Sequence, residues 1–158
     1  MITKIVSGND DNPVCQSCSL PMAHRDFFGT NHDRSLNYDY CCKINCIKTE
    51  ITQVILNFLK NASHAMSENQ TKKPEIYLRV FKKGLNVVIE VEDNGPGMSD
   101  EVRKRIFEPF FTTKQVGEGT GLGLSVAYFI ITENHNGEIV AESEENKGTK
   151  FIVSIPGI

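Results

Sequence analysis

With 158 residues the chain is long enough for one ordinary domain and a small appendage. A composition 39% hydrophobic and 23% charged excludes a disordered polyelectrolyte, and a net charge of -3 offers no broad field to attract nucleic acid. No apolar run approaches the roughly 20 residues of a membrane helix, and the opening MITKIVSGNDDNPVC lacks the apolar core of a signal peptide, so a cytoplasmic protein with reduced cysteines and no membrane contact is expected.

Residues 1–14 are expected to be a flexible N-terminus. All five cysteines follow between Cys15 and Cys46, within a segment over 15–47 that is rich in turn residues and has no sustained helical or strand period. Such a segment needs a staple. Cys15 and Cys18 form a C-x-x-C knuckle, and Cys41 or Cys42 with Cys46 offers a second pair, so four thiolates could hold zinc tetrahedrally. The alternatives are cysteines without a metal, or a redox C-x-x-C, which the absence of a surrounding βαβ pattern disfavours. His24 and His32 are further candidate ligands, although a lone loop histidine is usually solvated. The segment resembles a small zinc-ribbon family with a C-Q-S-C start, a central F-G-T-N stretch and a D-Y-C-x-x-C end. Here Ile44 stands three residues after Cys41, where the family has its last cysteine, which leaves the fourth ligand open between Cys46 paired with Cys41 and Cys46 paired with Cys42.

From Thr49 the pattern changes. Ile51, Val54, Ile55, Phe58, Leu59, Ala62, Ala65 and Met66 recur at spacings of three and four, the signature of a helix packed on a core. Asn57, Asn61 and His64 share an arc of about 60° beside that apolar stripe. Asparagine is a mediocre helix former, so two of them one turn apart beside buried surface suit a ligand; a solvated polar face is the plain alternative.

A hairpin follows. Ile76, Leu78 and Val80 alternate, a Lys-Lys-Gly turn intervenes, and Val87, Ile89 and Val91 alternate again. The second strand runs into DNGPGM, which is turn chemistry, with Gly97 allowing close backbone approach. SDEVRKRIF reads as a short helix capped by Ser99, acidic early and basic late as the helix dipole favours. EPFFTTK is a loop. Glycines then occupy positions 117, 119, 121 and 123, ahead of a helix predicted from about Leu122 to His135 and stopped by Asn136-Gly137. A last hairpin is expected over 138–156, turning near EENKGT.

The glycine spacing matches neither a Walker A loop nor the dinucleotide fingerprint. Its physics is nonetheless that of a phosphate site: flexible backbone exposes N–H groups, and the helix that follows adds a positive end.

Four stretches in order, QVILNFLKNASHA, DNGPGM, FEPFFTTK and GEGTGLGLSVA, closed by KGTKFIVSIP, resemble the N, G1, F and G2 boxes of the histidine-kinase type of ATPase domain, in the superfamily shared with gyrase, Hsp90 and MutL. The resemblance covers residues 49–156. It implies an α+β two-layer sandwich over 48–158, a mixed sheet covered on one face by helices, with a Bergerat-type ATP site. It assigns Mg²⁺, bridging the ATP phosphates, to Asn61, with Asn57 in support and His64 near the phosphates. Asp93 accepts the adenine amino group, Gly95 and Gly97 let the base approach, and Thr149 supports Asp93. Phe110, Phe111 and Lys114 belong to a mobile lid, and Gly119, Thr120, Gly121, Leu122 and Gly123 form the phosphate loop.

Two features of the family are missing from the pattern. No helical hairpin carrying a phospho-accepting histidine precedes Thr49. The cysteine segment stands where the family opens with a strand hairpin, so either the sheet lacks those strands or the segment fills the gap. The implied function is the ATP-binding catalytic domain of a sensor histidine kinase, acting in two-component signalling on a histidine carried by a partner's dimerisation domain. The alternative is a zinc- and ATP-binding regulatory module without phosphotransfer, a fused or truncated gene product.

Overall fold

The computed structural model describes residues 4–7, 44–114 and 119–158. β1 spans Lys4–Ser7, α1 Lys48–Glu68, β2 Ile76–Lys83, β3 Asn86–Asp93, α2 Asp100–Arg105, α3 Gly123–Phe129, β4 Glu138–Glu144 and β5 Gly148–Pro156. One five-stranded sheet runs in the order β1-β2-β3-β5-β4, antiparallel except for the parallel β1–β2 pair. The sheet is therefore mixed, as expected. Its parallel edge strand, Lys4–Ser7, lies within residues 1–14 and pairs with the open edge of β2, Lys4 opposite Tyr77. Backbone groups along an unpaired edge are a ready template for such pairing.

Strand alternation sends one face inward. Ile76, Ile89, Val91, Phe151, Val153, Ile155, Ile139 and Ala141 form a single core with Ile51, Val54, Phe58, Ala62 and Met66 of α1. These α1 residues are the stripe read from the three-and-four spacing. At the centre Phe58 is fully buried and its ring stacks on Phe151, centroids 4.5 Å apart and planes 2° from parallel. Helices on one face and a sheet beneath them make the two-layer α+β sandwich.

The β2–β3 turn at Gly84 and the helix stop at Asn136-Gly137 lie where predicted, Asn136 adopting a left-handed φ of 49°. The predicted Leu122–His135 helix is regular only to Phe129; Ile130–Asn134 continues as a wider π-helical turn. Ile130, Ile131 and Thr132 are three β-branched residues in succession, which crowd a tight helix. Gly137 N–H closes the turn onto the Ile131 carbonyl at 2.9 Å. Buried His135 ties this turn to the start of α1. Its Nε2 accepts from Ile47 N–H at 3.1 Å, so its proton sits on Nδ1, which donates to the Ile130 carbonyl at 2.8 Å.

Of the cysteine segment, Cys15, Cys18, Cys41 and Cys42 lie outside the described residues, as do His24 and His32. Cys46 is described and exposed, and among the described residues no group of three His, Cys, Asp or Glu side chains is placed to hold a metal. No helix among the described residues is long and apolar enough to cross a membrane.

Candidate functional site

One face of α1, the turn after β3, the 106–114 segment, the start of α3 and β5 enclose a cavity of about 820 Å³. That size and its mixed lining suit a nucleotide-sized ligand. Ile106, Met98, Leu124, Phe111 and Phe151 supply apolar surface, and Asn57, Lys60, Asn61, His64, Asp93, Lys114 and Thr149 supply polar groups. Of the predicted site, Asn57, Asn61, His64, Asp93, Gly97, Lys114, Gly119, Thr120, Gly121, Gly123 and Thr149 all line it.

Asp93 ends β3, directly opposite Thr149 of β5. It is buried, with 7% of its surface exposed. Its Oδ1 accepts from Gly95 N–H at 2.8 Å. Burial holds its carboxyl above the usual carboxylate range, against the opposing pull of the Gly95 and Thr149 backbone N–H groups. The Gly95 N–H thus orients the carboxylate, and its remaining lone pairs are available to a ligand donor.

Gly95 does not line the cavity. It stands behind Asp93, where an added Cβ would come within 2.8 Å of the Asp93 Oδ1 and 3.1 Å of Met66. Gly97 has φ +67°, and a Cβ there would lie 2.0 Å from the Glu144 carbonyl oxygen. Only glycine fits both the backbone angle and the contact.

Along α1, Asn57 and Asn61 differ. Asn57 Nδ2 donates to the Gly123 carbonyl at 2.8 Å, pinning the first turn of α3 to α1. Among the described residues nothing hydrogen-bonds the Asn61 carboxamide, although it lines the cavity. His64 Nε2 lies 3.3 Å from Glu68 Oε1 but off a hydrogen-bonding line, and among the described residues it has no other partner. The Asn61 carboxamide offers a neutral oxygen, so it fits Mg²⁺ only when a ligand brings negative charge, as a polyphosphate does.

The glycine loop is described from Gly119 onward; residues 115–118, Gly117 among them, lie outside. Gly121 has φ +65° and packs on the backbone of Phe110, whose carbonyl carbon would be 2.5 Å from an added Cβ. Phe110 itself has φ +64° and is 74% exposed, so the predicted lid residue faces away from the cavity while its backbone buttresses the loop. Leu122 precedes α3 and is likewise absent from the lining.

The sequence reading missed Ser143 and Lys60. Lys60 lines the cavity and adds a cation beside Asn61. Ser143 Oγ accepts from Met98 N–H at 2.9 Å, donates to the Gly148 carbonyl at 2.9 Å and lies 3.1 Å from Thr149 Oγ1. The available signal was phase: in β4, inward Ile139 and Ala141 are followed two residues on by a serine, a polar group where alternation demands an inward one.

Residues 46–157 match the model of the histidine kinase-, DNA gyrase B-, and HSP90-like ATPase family. Sporulation kinase E of Bacillus subtilis (strain 168) is 44% identical over 116 residues, which are 72% of this chain and 14% of that protein. Sensor kinase CckA of Brucella abortus (strain 2308) is 42% identical over 118 residues, 68% of this chain and 12% of that protein. The chain thus spans about an eighth of the length of these relatives. Among solved structures, the nucleotide-free catalytic domain of histidine kinase ThkA is 37% identical with a TM-score of 0.61, covering 72% of this chain and 70% of that one. Full-length ShkA in complex with AMPPNP is 28% identical with a TM-score of 0.58, covering 68% of this chain and 21% of that one.

Proposed function

This chain belongs to the histidine kinase-, DNA gyrase B- and HSP90-like ATPases, and on that footing we propose that it is the ATP-binding catalytic domain of a histidine kinase of two-component signalling, handing the γ-phosphoryl group to a histidine on a partner. The carrying observation is that a buried acceptor, Asp93, and an asparagine without a partner among the described residues, Asn61, share one nucleotide-sized cavity. Asp93 reads the adenine amino group, with Gly97 allowing the approach. Asn61 holds Mg²⁺, which when bound neutralises phosphate oxygens as charge shifts during transfer. Lys60, His64 and Lys114 add donors for the phosphates, and the Gly119–Gly123 loop wraps them with backbone N–H groups.

The α1 position one turn before Asn61 carries no base for water. Asn57, one turn before Asn61, has an amide that takes no proton at neutral pH, and its Nδ2 is already engaged with Gly123. Neither described histidine suits a phosphoryl acceptor on this chain. His135 is buried with both ring nitrogens engaged, and His64 lines the ATP cavity. In this reading the nucleophile is a histidine on a partner's helical hairpin, in the cytoplasm where ATP is held.

The test is incubation of the full chain with γ-labelled ATP, alone and with a histidine-bearing hairpin from a kinase relative. The chain alone should bind ATP, release phosphate negligibly and stay unlabelled; the hairpin should become labelled, and Asn61→Ala should abolish labelling. Brisk phosphate release by the chain alone, abolished by Asn61→Ala, overturns the reading. Zinc on Cys15, Cys18, Cys46 and one of Cys41 or Cys42 is part of the same proposal and rests on cysteine spacing alone. One equivalent in chelator-free protein, lost on Cys15→Ser with Cys18→Ser, is the expected analysis.

A further inference from the structure

Ser143 carries a single hydroxyl proton and has three polar neighbours: Met98 N–H at 2.9 Å, the Gly148 carbonyl at 2.9 Å and Thr149 Oγ1 at 3.1 Å. Met98 N–H can only donate and the Gly148 carbonyl can only accept. One arrangement satisfies all three. Ser143 accepts from Met98, gives its proton to Gly148, and accepts a second hydrogen bond from the Thr149 hydroxyl. Thr149 then has no proton left for the cavity it lines and turns only lone pairs toward a ligand. Thr149 is buried, so water does not readily supply an alternative partner on its protein side. Asp93, paired with Thr149 across β3 and β5, is itself an acceptor.

We propose that Ser143 is a positioning residue that sets the polarity of the Thr149 hydroxyl, so that the base-reading floor presents two acceptors and selects a purine with an amino group at its 6-position over one with a carbonyl. The inference rests on the ATP-binding reading above. A 6-carbonyl oxygen would meet two sets of lone pairs, and leaving polar groups facing like groups is how a site rejects a near-isostere. Removing the Ser143 acceptor frees the Thr149 proton to turn into the cavity and donate to that oxygen.

The experiment measures dissociation constants of ATP and ITP for the full-length chain by calorimetry. The wild type should prefer ATP. In Ser143→Ala the ITP-to-ATP ratio of dissociation constants should fall by roughly three- to tenfold, the scale of one hydrogen bond. Ser143→Thr, which keeps the hydroxyl, should hold the wild-type ratio. Ser143→Cys keeps nearly the same volume with only a weak donor and acceptor, and reads the same fall if the alanine variant does not fold. Loss of affinity by the same factor for both nucleotides would mean that Ser143 only braces the turn, and would overturn the proposal. A wild type that binds neither nucleotide would instead remove the ATP reading on which it stands.

Discussion

Asp93→Asn separates what Asp93 does for the fold from what it does for the ligand. Asparagine is nearly isosteric, and its carbonyl oxygen can keep the 2.8 Å hydrogen bond from Gly95 N–H. Its other terminus becomes an NH₂ donor, aimed where the adenine amino group should donate. Losing a hydrogen bond to a charged acceptor should weaken ATP binding by about 1.5–3 kcal/mol, a roughly 10- to 140-fold rise in Kd. Stability should move the other way. Burial raises the folded-state pKa of Asp93 above its ordinary value of 3.8, so between the two values the folded chain holds more protons than the unfolded one. Stability therefore falls as pH rises through that window, and at neutral pH the wild type carries the full penalty of a desolvated carboxylate. The neutral amide of the variant carries none. Thermal melts should show the variant at least as stable as the wild type at pH 7, with its advantage shrinking as pH falls toward the unfolded value. Calorimetry supplies the affinity on the same samples. A folded variant that binds ATP as tightly as the wild type would refute the assignment of Asp93 as base reader. A variant markedly less stable at pH 7, with the gap widening in acid, would refute the account of its burial.

Gly97→Ala forces a Cβ to 2.0 Å from the Glu144 carbonyl at a φ of +67°; it should lose at least about 2 kcal/mol of stability in urea unfolding and abolish ATP binding. Phe58→Ala removes a fully buried ring stacked on Phe151. It should destabilise by about 3–5 kcal/mol, and a loss below about 1 kcal/mol would show that the α1–sheet contact is not the centre of the core.

Local patterns were legible in the sequence because they depend on near neighbours. The three-and-four spacing of Ile51, Val54, Phe58, Ala62 and Met66 specified the buried stripe of α1, and alternation through Val87, Ile89 and Val91 specified the inward face of β3. The glycine loop and DNGPGM announced themselves through residue types that tolerate unusual backbone. Asn57 and Asn61 read as equivalents one turn apart, and it took the approach of α3 to make one a strut bound to Gly123 and leave the other open to the cavity. Phe110 read as a lid side chain, but its left-handed backbone turns the ring to solvent and leaves its carbonyl against Gly121. Ser143 has no local signature beyond strand phase. Its meaning comes from Met98, 45 residues earlier, meeting the end of the β4–β5 hairpin. Periodicity records which side of an element faces inward; which elements meet there is set by the order of strands in the sheet, and that order is a long-range property that no window of sequence contains.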